Sequence, residues 1–336
     1  MKKFLSTTFI ITACSLLFGC SKIVPSQGVT MSAAHTKFLK TCHEDLKYKV
    51  KTKLVGKTMW IYVPIEERII DVKATDKGPF KSSEAEEKIT ARYIDAEFSE
   101  DAINVEYDIA MSKGYGKSYG YSQAYTEEYS KVQNNVLMAL KDSFFDVGNI
   151  AGDIEFENAQ KDQSHKKLVS SYVKTDKPPA FFVVTISNIT KGLEIEIMLN
   201  FEDYKKAMSP NPIIPYEEYT KRYITEIRGN TDIISDNEGK HIAYRDITMQ
   251  EFLGKQIINR VNFKYTRSDF PPGDDTVKEL LAIIATTVRL YDFKDFLSVN
   301  LKDLVTGDVK TVSREELKEY AQEEKTQGKY HVIKFF

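Results

Sequence analysis

The 336-residue sequence predicts an α+β fold in which antiparallel hairpins pack against amphipathic helices. Two pairs of strand-like segments, each joined by a short turn, predict the hairpins. These pairs are residues 89–98 with 103–109 and residues 181–189 with 193–201. A helical stripe of apolar residues in 274–291 is typical of a helix with one face on a core. Hairpins that alternate with such helices favour antiparallel sheet over βαβ units.

The folded body begins with a predicted helix and two predicted strands. The stripe Met31, Ala34, Phe38, Leu39, Cys42 and Leu46 predicts a helix that buries Cys42 in a core. From Leu46 to Leu54, apolar residues alternate with lysines, which predicts a strand with one face in water. The lysine row is typical of a protected sheet edge, and contact with anionic lipid or polymer is the alternative. Residues 59–63 predict a buried strand that ends at Pro64.

Each predicted hairpin is followed by a loop and a helix. The first hairpin leads through a Gly/Tyr loop to a helix near 123–145, and the second leads to a helix near 216–227. Both predicted helices begin with similar sequences, Tyr-Thr-Glu-Glu-Tyr and Tyr-Glu-Glu-Tyr. A duplicated ββα unit is therefore a candidate interpretation. Thr248 with Glu251 and Ser313 with Glu316 predict capping boxes for two further helices.

Composition shifts along the chain predict its organisation. Residues 157–180 are polar and end in Pro178-Pro179, which favours a linker between two units. The predicted divisions are a signal peptide (1–19), a lipidated tether (20–31), a first α+β unit (32–156), the polar linker (157–180) and a second α+β unit (181–336).

The first residues predict export. Lys2 and Lys3 precede an uncharged apolar run, residues 4–18, which is the layout of a secretory signal peptide. The run is shorter than the roughly 20 residues of a membrane-spanning helix, and an uncleaved anchor is the alternative. The run ends in Leu17-Phe18-Gly19-Cys20, which resembles the lipobox of bacterial lipoproteins.

This resemblance implies lipidation of Cys20. In the family, the cysteine thiol takes a diacylglycerol, the preceding peptide bond is cut, and the new amine receives a further acyl chain such as palmitate. Two or three acyl chains give stable anchoring. Ser21, which stands where an aspartate would favour the inner membrane, implies the periplasmic side of the outer membrane. Cys14 also ends a lipobox-like tetrad, but it leaves a shorter apolar core before it.

Charge and cysteine content narrow the classes of function. The formal net charge is −2, so the strongly basic surface of a nucleic-acid-binding protein is not predicted. After Cys14 and Cys20, only Cys42 remains, and one thiol cannot form an internal disulfide. No nucleic acid is expected as a partner. The lipobox resemblance implies the membrane as a partner, through the N-terminal lipid, and an envelope protein is the other expected partner.

The sharpest catalytic motif surrounds Ser118. Gly116-Lys117-Ser118-Tyr119-Gly120 fits G-x-S-x-G, the nucleophile elbow of α/β-hydrolases. The preceding strand is predicted to end near Ala110, several residues before the motif, and no histidine segment carries a supporting pattern. A Gly/Tyr surface loop is the favoured interpretation, and Ser118 is a weak candidate nucleophile.

Two other groups of residues have side chains of the kinds found at binding or metal sites. Tyr115, Tyr119 and Tyr121 are candidates for a binding surface, since exposed tyrosine is favoured at interfaces. His35 and Cys42 share a helical face, but no second cluster at zinc spacing accompanies them, so no metal and no cofactor are predicted. The sequence thus favours a lipid-anchored binding or scaffolding protein without catalysis. A serine hydrolase and a periplasmic carrier of a lipid or small molecule are the alternatives.

Overall fold

The computed structural model describes residues 31–74, 86–114, 121–145, 177–208, 214–266 and 275–321. Within them the chain has an α+β fold, as predicted. The strands are β1 Lys51–Val55, β2 Thr58–Ile65, β3 Ile70–Ala74, β4 Glu86–Ser99, β5 Ala102–Gly114, β6 Tyr121–Tyr125, β7 Phe181–Asn188, β8 Leu193–Asn200, β9 Ile224–Gly229, β10 Ser298–Asp303 and β11 Val309–Ser313. The α-helices are α1 Met31–Lys40, α2 Glu127–Phe144, α3 Phe201–Met208, α4 Tyr216–Arg222, α5 Met249–Thr266, α6 Thr276–Leu290 and α7 Arg314–Leu317.

Two larger sheets organise these elements. Sheet A has the order β1-β2-β7-β8-β9, and sheet B has the order β11-β10-β5-β4. In sheet A the hairpin β1–β2 meets the hairpin β7–β8 through a parallel pair, β2 with β7. In sheet B the hairpin β4–β5 meets the hairpin β10–β11 through a parallel pair, β5 with β10. Both sheets therefore follow one plan, and the small sheet β3–β6 stands apart.

The hairpins of the two sheets alternate along the chain. Thr58 lies beside Phe181 in sheet A, and Ala102 lies beside Ser298 in sheet B. Each sheet thus combines one hairpin from residues 32–156 with one from residues 181–336, so the two predicted units share both sheets.

Sheet A is covered on both faces. Its first face carries Ile61, Val184 and Ile197 and packs against α1, α2 and α3. Cys42 belongs to this core and is fully buried, as predicted, and burial raises the pKa of its thiol to about 12. The second face is apolar at one end, where Trp60 and Val183 contact Phe252 of α5. Residues 230–248, the covering loop, lie over the rest of this face, as the contacts described below show.

Sheet B is covered on one face. Ile103, Val105 and Val299 point to a core completed by α5 and α6. Leu281 and Ile284, which belong to the apolar stripe in residues 274–291, are fully buried there. The opposite face is polar. Its side chains pair across the strands in ladders such as Lys302 with Glu106 and Asn300 with Asn104, both at 2.8 Å. This alternation is what a half-solvated sheet requires.

Helix α5 joins the two sheets. Its Phe252 packs on sheet A, and its Ile257 and Val261 pack on sheet B. Gly254 lies between these contacts, and a Cβ built there would be 2.4 Å from the carbonyl oxygen of Ala96 in β4. The glycine therefore permits the closest approach of α5 to sheet B.

Several predicted elements have different bounds in the structure. β5 continues to Gly114 instead of ending near Ala110, because β4 extends equally far and pairs with it from Glu86. β1 begins at Lys51 instead of Leu46, because Lys47 takes a left-handed backbone conformation (φ 60°) that interrupts the extended chain.

Two predicted helices are shorter than expected. The helix predicted at 216–227 ends at Arg222, because residues 224–229 pair with β8 at the edge of sheet A. The helix predicted from 123 begins at Glu127, because residues 121–125 pair with β3 and the Thr126 side chain caps the helix.

Of the expected capping boxes and turns, some form in the structure and others do not. Ser313 and Glu316 form a complete capping box at α7, whereas Glu251 donates only its backbone N–H to Thr248 and its carboxylate pairs with Arg245. Thr306-Gly307-Asp308, whose residue types predict a hairpin turn, lies between β10 and β11 and joins them. The turn at 237–240 lies in the covering loop and joins no strands among the described residues.

Candidate functional site

The residues singled out from the sequence lie largely beyond the described ranges. Cys20, Tyr115, Ser118 and Tyr119 fall outside them, as does the side chain of Tyr121, the first residue of β6. The described neighbours of Ser118 are strands on both sides, β5 up to Gly114 and β6 from Tyr121. A nucleophile elbow requires a helix directly after the serine, and here a strand precedes α2.

A buried polar cluster lies on the second face of sheet A. Glu194 on β8 accepts hydrogen bonds from Ser187 on β7 at 2.9 Å and from His241 of the covering loop at 2.8 Å. The Glu194 and His241 side chains are only 3% and 7% exposed. Both donors reach the same carboxylate oxygen, Oε2. The glutamate therefore stands between serine and histidine, and the histidine is not placed as a base for the serine.

The cluster continues along the strands towards the sheet edge. Glu196 is buried, and this burial raises the pKa of its carboxyl even though Arg228 lies 3.1 Å away. Glu226 bonds to Arg228 at 2.8 Å and also pairs with Lys255 of α5. Burial alone would raise the pKa of Glu226, but Lys255 and Arg228 together lower it. The two basic residues thus hold three glutamates at one edge of the sheet.

The cluster fastens the covering loop to sheet A. Backbone carbonyls of the loop accept hydrogen bonds from Tyr62 at 2.6 Å, through Asp236, and from Trp60 at 2.7 Å, through Arg245. Asp246 accepts from the Thr58 hydroxyl at 3.0 Å. His241 adds the bond to Glu194. Because the sheet face is sealed by these contacts, the cluster acts as an attachment of the loop and not as an open reaction site.

A second buried network joins the helices of the two sheets. Arg222 of α4 binds Asp203 of α3 at 2.9 Å and Glu218 at 2.7 Å, and its side chain is 8% exposed. Arg260 of α5 also bonds to Glu218. Burial opposes the charge of Arg222, but Asp203 and Glu218 outweigh this effect and raise its pKa. The network thus pairs two buried arginines with Asp203 and Glu218 and ties α3, α4 and α5 together.

A concave site lies beside the helices that cover sheet B. Helices α6 and α7 and the segment between α6 and β10 enclose a pocket of about 540 Å³, named here the α6–α7 pocket. Its apolar lining consists of Ala285, Val288, Phe293, Phe296, Leu317 and Ala321. Its charged lining consists of Arg289, Asp292, Lys294, Arg314 and Lys318. A volume of this size is within the range of small-molecule sites.

The apolar and charged parts of this pocket are separated. Phe296 and Leu317 are buried, and the rings of Phe293 and Phe296 are parallel within 5° with centres 6.3 Å apart. Lys294 and Lys318 have side chains 72% and 65% exposed, so their ammonium groups stand in water at the rim. The site therefore has an apolar floor and a basic rim.

A smaller basic pocket lies at the edge of sheet A. Its volume is about 490 Å³, and it is lined by His43, Lys47, Tyr48, Lys49, Val50, Lys51, Asn237 and Glu238. Lys51 pairs with Glu238 at 3.2 Å. These lysines belong to the row predicted as a protected sheet edge, and β1 is indeed an edge strand. The pocket is thus formed by the same residues that keep this edge charged.

The described ranges contain neither a metal-type cluster nor a membrane-type helix. Within the described ranges, no three His, Cys, Asp or Glu side chains come together as a metal site. His35 instead bonds to Thr52 at 2.6 Å, and burial lowers its pKa. No helix in the same ranges has the length and apolar character that crossing a membrane requires.

Comparison of the chain with family models, with curated proteins and with solved structures finds no match. Sequence reasoning had missed the Glu194 cluster and the α6–α7 pocket. The cluster left one signal, two glutamates that alternate with isoleucines in an otherwise apolar strand, Leu-Glu-Ile-Glu-Ile-Met-Leu. The α6–α7 pocket left no such signal in the sequence, because the segments that line it have no common sequence period.

Proposed function

We propose that this protein is a lipid-anchored component of a bacterial cell envelope that acts by binding and not by catalysis. The proposed anchor is Cys20, supported by the lipobox-like Leu17-Phe18-Gly19-Cys20 after an apolar run. The proposed location is the periplasmic side of the outer membrane. Residues 20–31 span at most about 40 Å when fully extended, at 3.3–3.6 Å per residue, so the anchor would keep the folded body near the bilayer.

The α6–α7 pocket is the observation that supports binding. It is open, it has the volume of a ligand site, and its described lining contains no serine, cysteine or histidine to act as nucleophile or base. The described groups that resemble catalytic residues, Ser187 and His241, are sealed beneath the covering loop and bond to one glutamate oxygen. A binding role is consistent with an open pocket whose described lining has no nucleophile and no base.

Mass spectrometry of the mature N-terminus tests the anchor. We expect a mature chain that begins at Cys20 and carries two or three acyl chains. Cys20→Ala should abolish acylation and release or misprocess the protein, whereas the matched control Cys14→Ala should leave the mature product unchanged. An unmodified N-terminus beyond residue 20 would overturn the lipoprotein proposal.

An active-site-directed phosphonate tests the absence of catalysis, since it labels a serine activated by a neighbouring base. We expect no labelling of the wild-type chain and no difference in esterase background between wild type and Ser118→Ala. Stoichiometric labelling that Ser118→Ala removes would establish the serine hydrolase instead. Copurification from solubilised membranes would separately reveal an envelope protein partner and favour the scaffolding role.

A further inference from the structure

The α6–α7 pocket has the chemistry of a site for one class of ligand. We infer that it binds a free single-chain amphipathic anion of the fatty-acid class, with the chain on the apolar floor and the carboxylate at the basic rim. This inference rests on the proposed binding function and specifies its ligand. It does not depend on the lipid anchor.

The floor of the pocket is suited to an alkyl chain. Val288 and Leu317 are nearly fully buried, and Phe293 and Phe296 present parallel rings beside them. None of the floor side chains carries a hydrogen-bonding group, so a sugar or a nucleobase would lose its hydrogen bonds with water there. An alkyl chain loses none, and each CH₂ that it buries there is removed from water, which favours binding.

The rim of the pocket is suited to an anion. Four cations line it, Arg289, Lys294, Arg314 and Lys318, against one lining carboxylate, Asp292. Lys294 pairs with Asp292 at 2.7 Å, and Glu315 contacts Arg314 and Lys318 from outside the pocket. The lining residues themselves therefore carry four positive charges and one negative charge. This excess favours an anionic head group over a neutral or cationic one.

The shape of the pocket favours a free amphiphile over the surface of a bilayer. A bilayer would present head groups to the rim, but its chains would stay in the membrane and leave the apolar floor without a partner. A volume of about 540 Å³ is suited to a single small ligand. The occupant that satisfies both the floor and the rim is one chain with one charged end.

Calorimetric titration with decanoate tests the inference. The full chain with Cys20→Ala is used, so that no acyl chain of its own competes and the outcome is independent of the anchor. We expect saturable one-to-one binding that weakens as salt is raised, because the rim cations are exposed and screened. Decanol should bind more weakly, and decyltrimethylammonium more weakly still. Equal affinity for all three would overturn the assignment of an anionic ligand.

Matched variants locate the binding. Lys294→Ala with Lys318→Ala should weaken decanoate about three- to tenfold and leave decanol unchanged, as expected for two exposed charges. The control, Lys302→Ala with Lys310→Ala, removes two lysines that do not line the pocket and should have no effect. Equal losses in both double variants would overturn the placement of the site.

Filling the pocket gives a second, charge-independent test. Ala321→Trp adds a large ring at the half-buried end of the floor and should abolish binding of decanoate and decanol alike, with the unfolding midpoint measured in parallel. Undiminished binding in a folded Ala321→Trp chain would contradict the inference. Binding of the Cys20→Ala chain to vesicles of anionic lipid, without binding of monomeric decanoate, would assign the site to a bilayer surface instead.

Discussion

Sheets A and B share one strand plan but differ in how they are covered. In sheet A, every residue of β2 and β7 is buried, and the second face carries buried Glu194 and Glu196. In sheet B, the polar ladders of the outer face reach solvent, as in the pair of Lys302 with Glu106, whose side chains are 48% and 43% exposed. The two sheets have the same topology, but polar residues are buried in sheet A and reach solvent in sheet B.

The difference teaches where polar residues contribute to the fold. A polar group in sheet A must have a partner, because an unpaired buried carboxylate costs several kcal/mol. In sheet B water supplies the partner, so an ion pair contributes about 0–1 kcal/mol. The covering loop, β9 and α5 bring the basic and hydrogen-bonding groups that pair with the glutamates of sheet A.

The largest expected effect concerns the buried network beside sheet A. Arg222→Met should cost about 3–5 kcal/mol of unfolding free energy, because it leaves buried Asp203 without its charge partner and leaves Glu218 with Arg260 alone. The control Arg92→Met removes the exposed pair with Asp108 on sheet B and should cost less than about 1 kcal/mol. Denaturant unfolding measures both. Similar losses would erase the contrast between the two sheets.

An intermediate effect is expected where α5 meets sheet B. Gly254→Ala should lower the unfolding midpoint, although alanine favours a helix by about 1 kcal/mol, because the new Cβ would be 2.4 Å from the Ala96 carbonyl oxygen. Overpacking of this kind costs about 1–3 kcal/mol. At the control position, Gly229 in sheet A, the nearest atoms are 3.9 Å away and Gly229→Ala should be tolerated. A more stable Gly254→Ala chain would show that α5 can move away from β4.

The smallest effect has the opposite sign. Burial raises the pKa of Glu196, so its charged form is disfavoured in the folded state and stability falls as pH rises through the folded pKa. Glu196→Gln should therefore raise the thermal midpoint at neutral pH, by less than about 1 kcal/mol in free energy. The gain should shrink as pH falls below that pKa, where the wild-type carboxyl is already neutral. Glu106→Gln on sheet B is the control, and a lower midpoint for Glu196→Gln would mean that its bond to Arg228 outweighs burial.

The sequence predicted the fold class and most hairpins because these depend on local periodicity. The alternation around Val105 and the stripe around Leu281 are each contained in one segment, and both segments form the expected elements. The parallel pairing of β2 with β7 and of β5 with β10 left no local signal, since it joins strands more than 100 residues apart. The division into two consecutive units was therefore drawn without the long-range pairs that join them.

The candidate sites were harder to predict for the same reason. Ser187 and Glu194 are brought together by a hairpin that the sequence did predict, but His241 reaches them from a loop with no period of its own. Cys42 was predicted correctly, because its helical stripe alone decides its burial. The α6–α7 pocket combines a helix end, an irregular segment and a short helix, and only the folded chain places their lysines and phenylalanines around one cavity.

The hairpins of sheets A and B alternate along the chain, so neither sheet can be completed early while the chain is synthesised from its N-terminus. When residues up to 125 have appeared, the first hairpins of both sheets are present, yet β2 and β5 still lack their parallel neighbours. Sheet A has all its strands only after β9 has been synthesised, and sheet B only after β11, which ends at Ser313. Until then both incomplete sheets present open strand edges, which are prone to aggregate. Because pairing over such separations is slow, these edges stay unpaired until the last hairpin of the chain arrives.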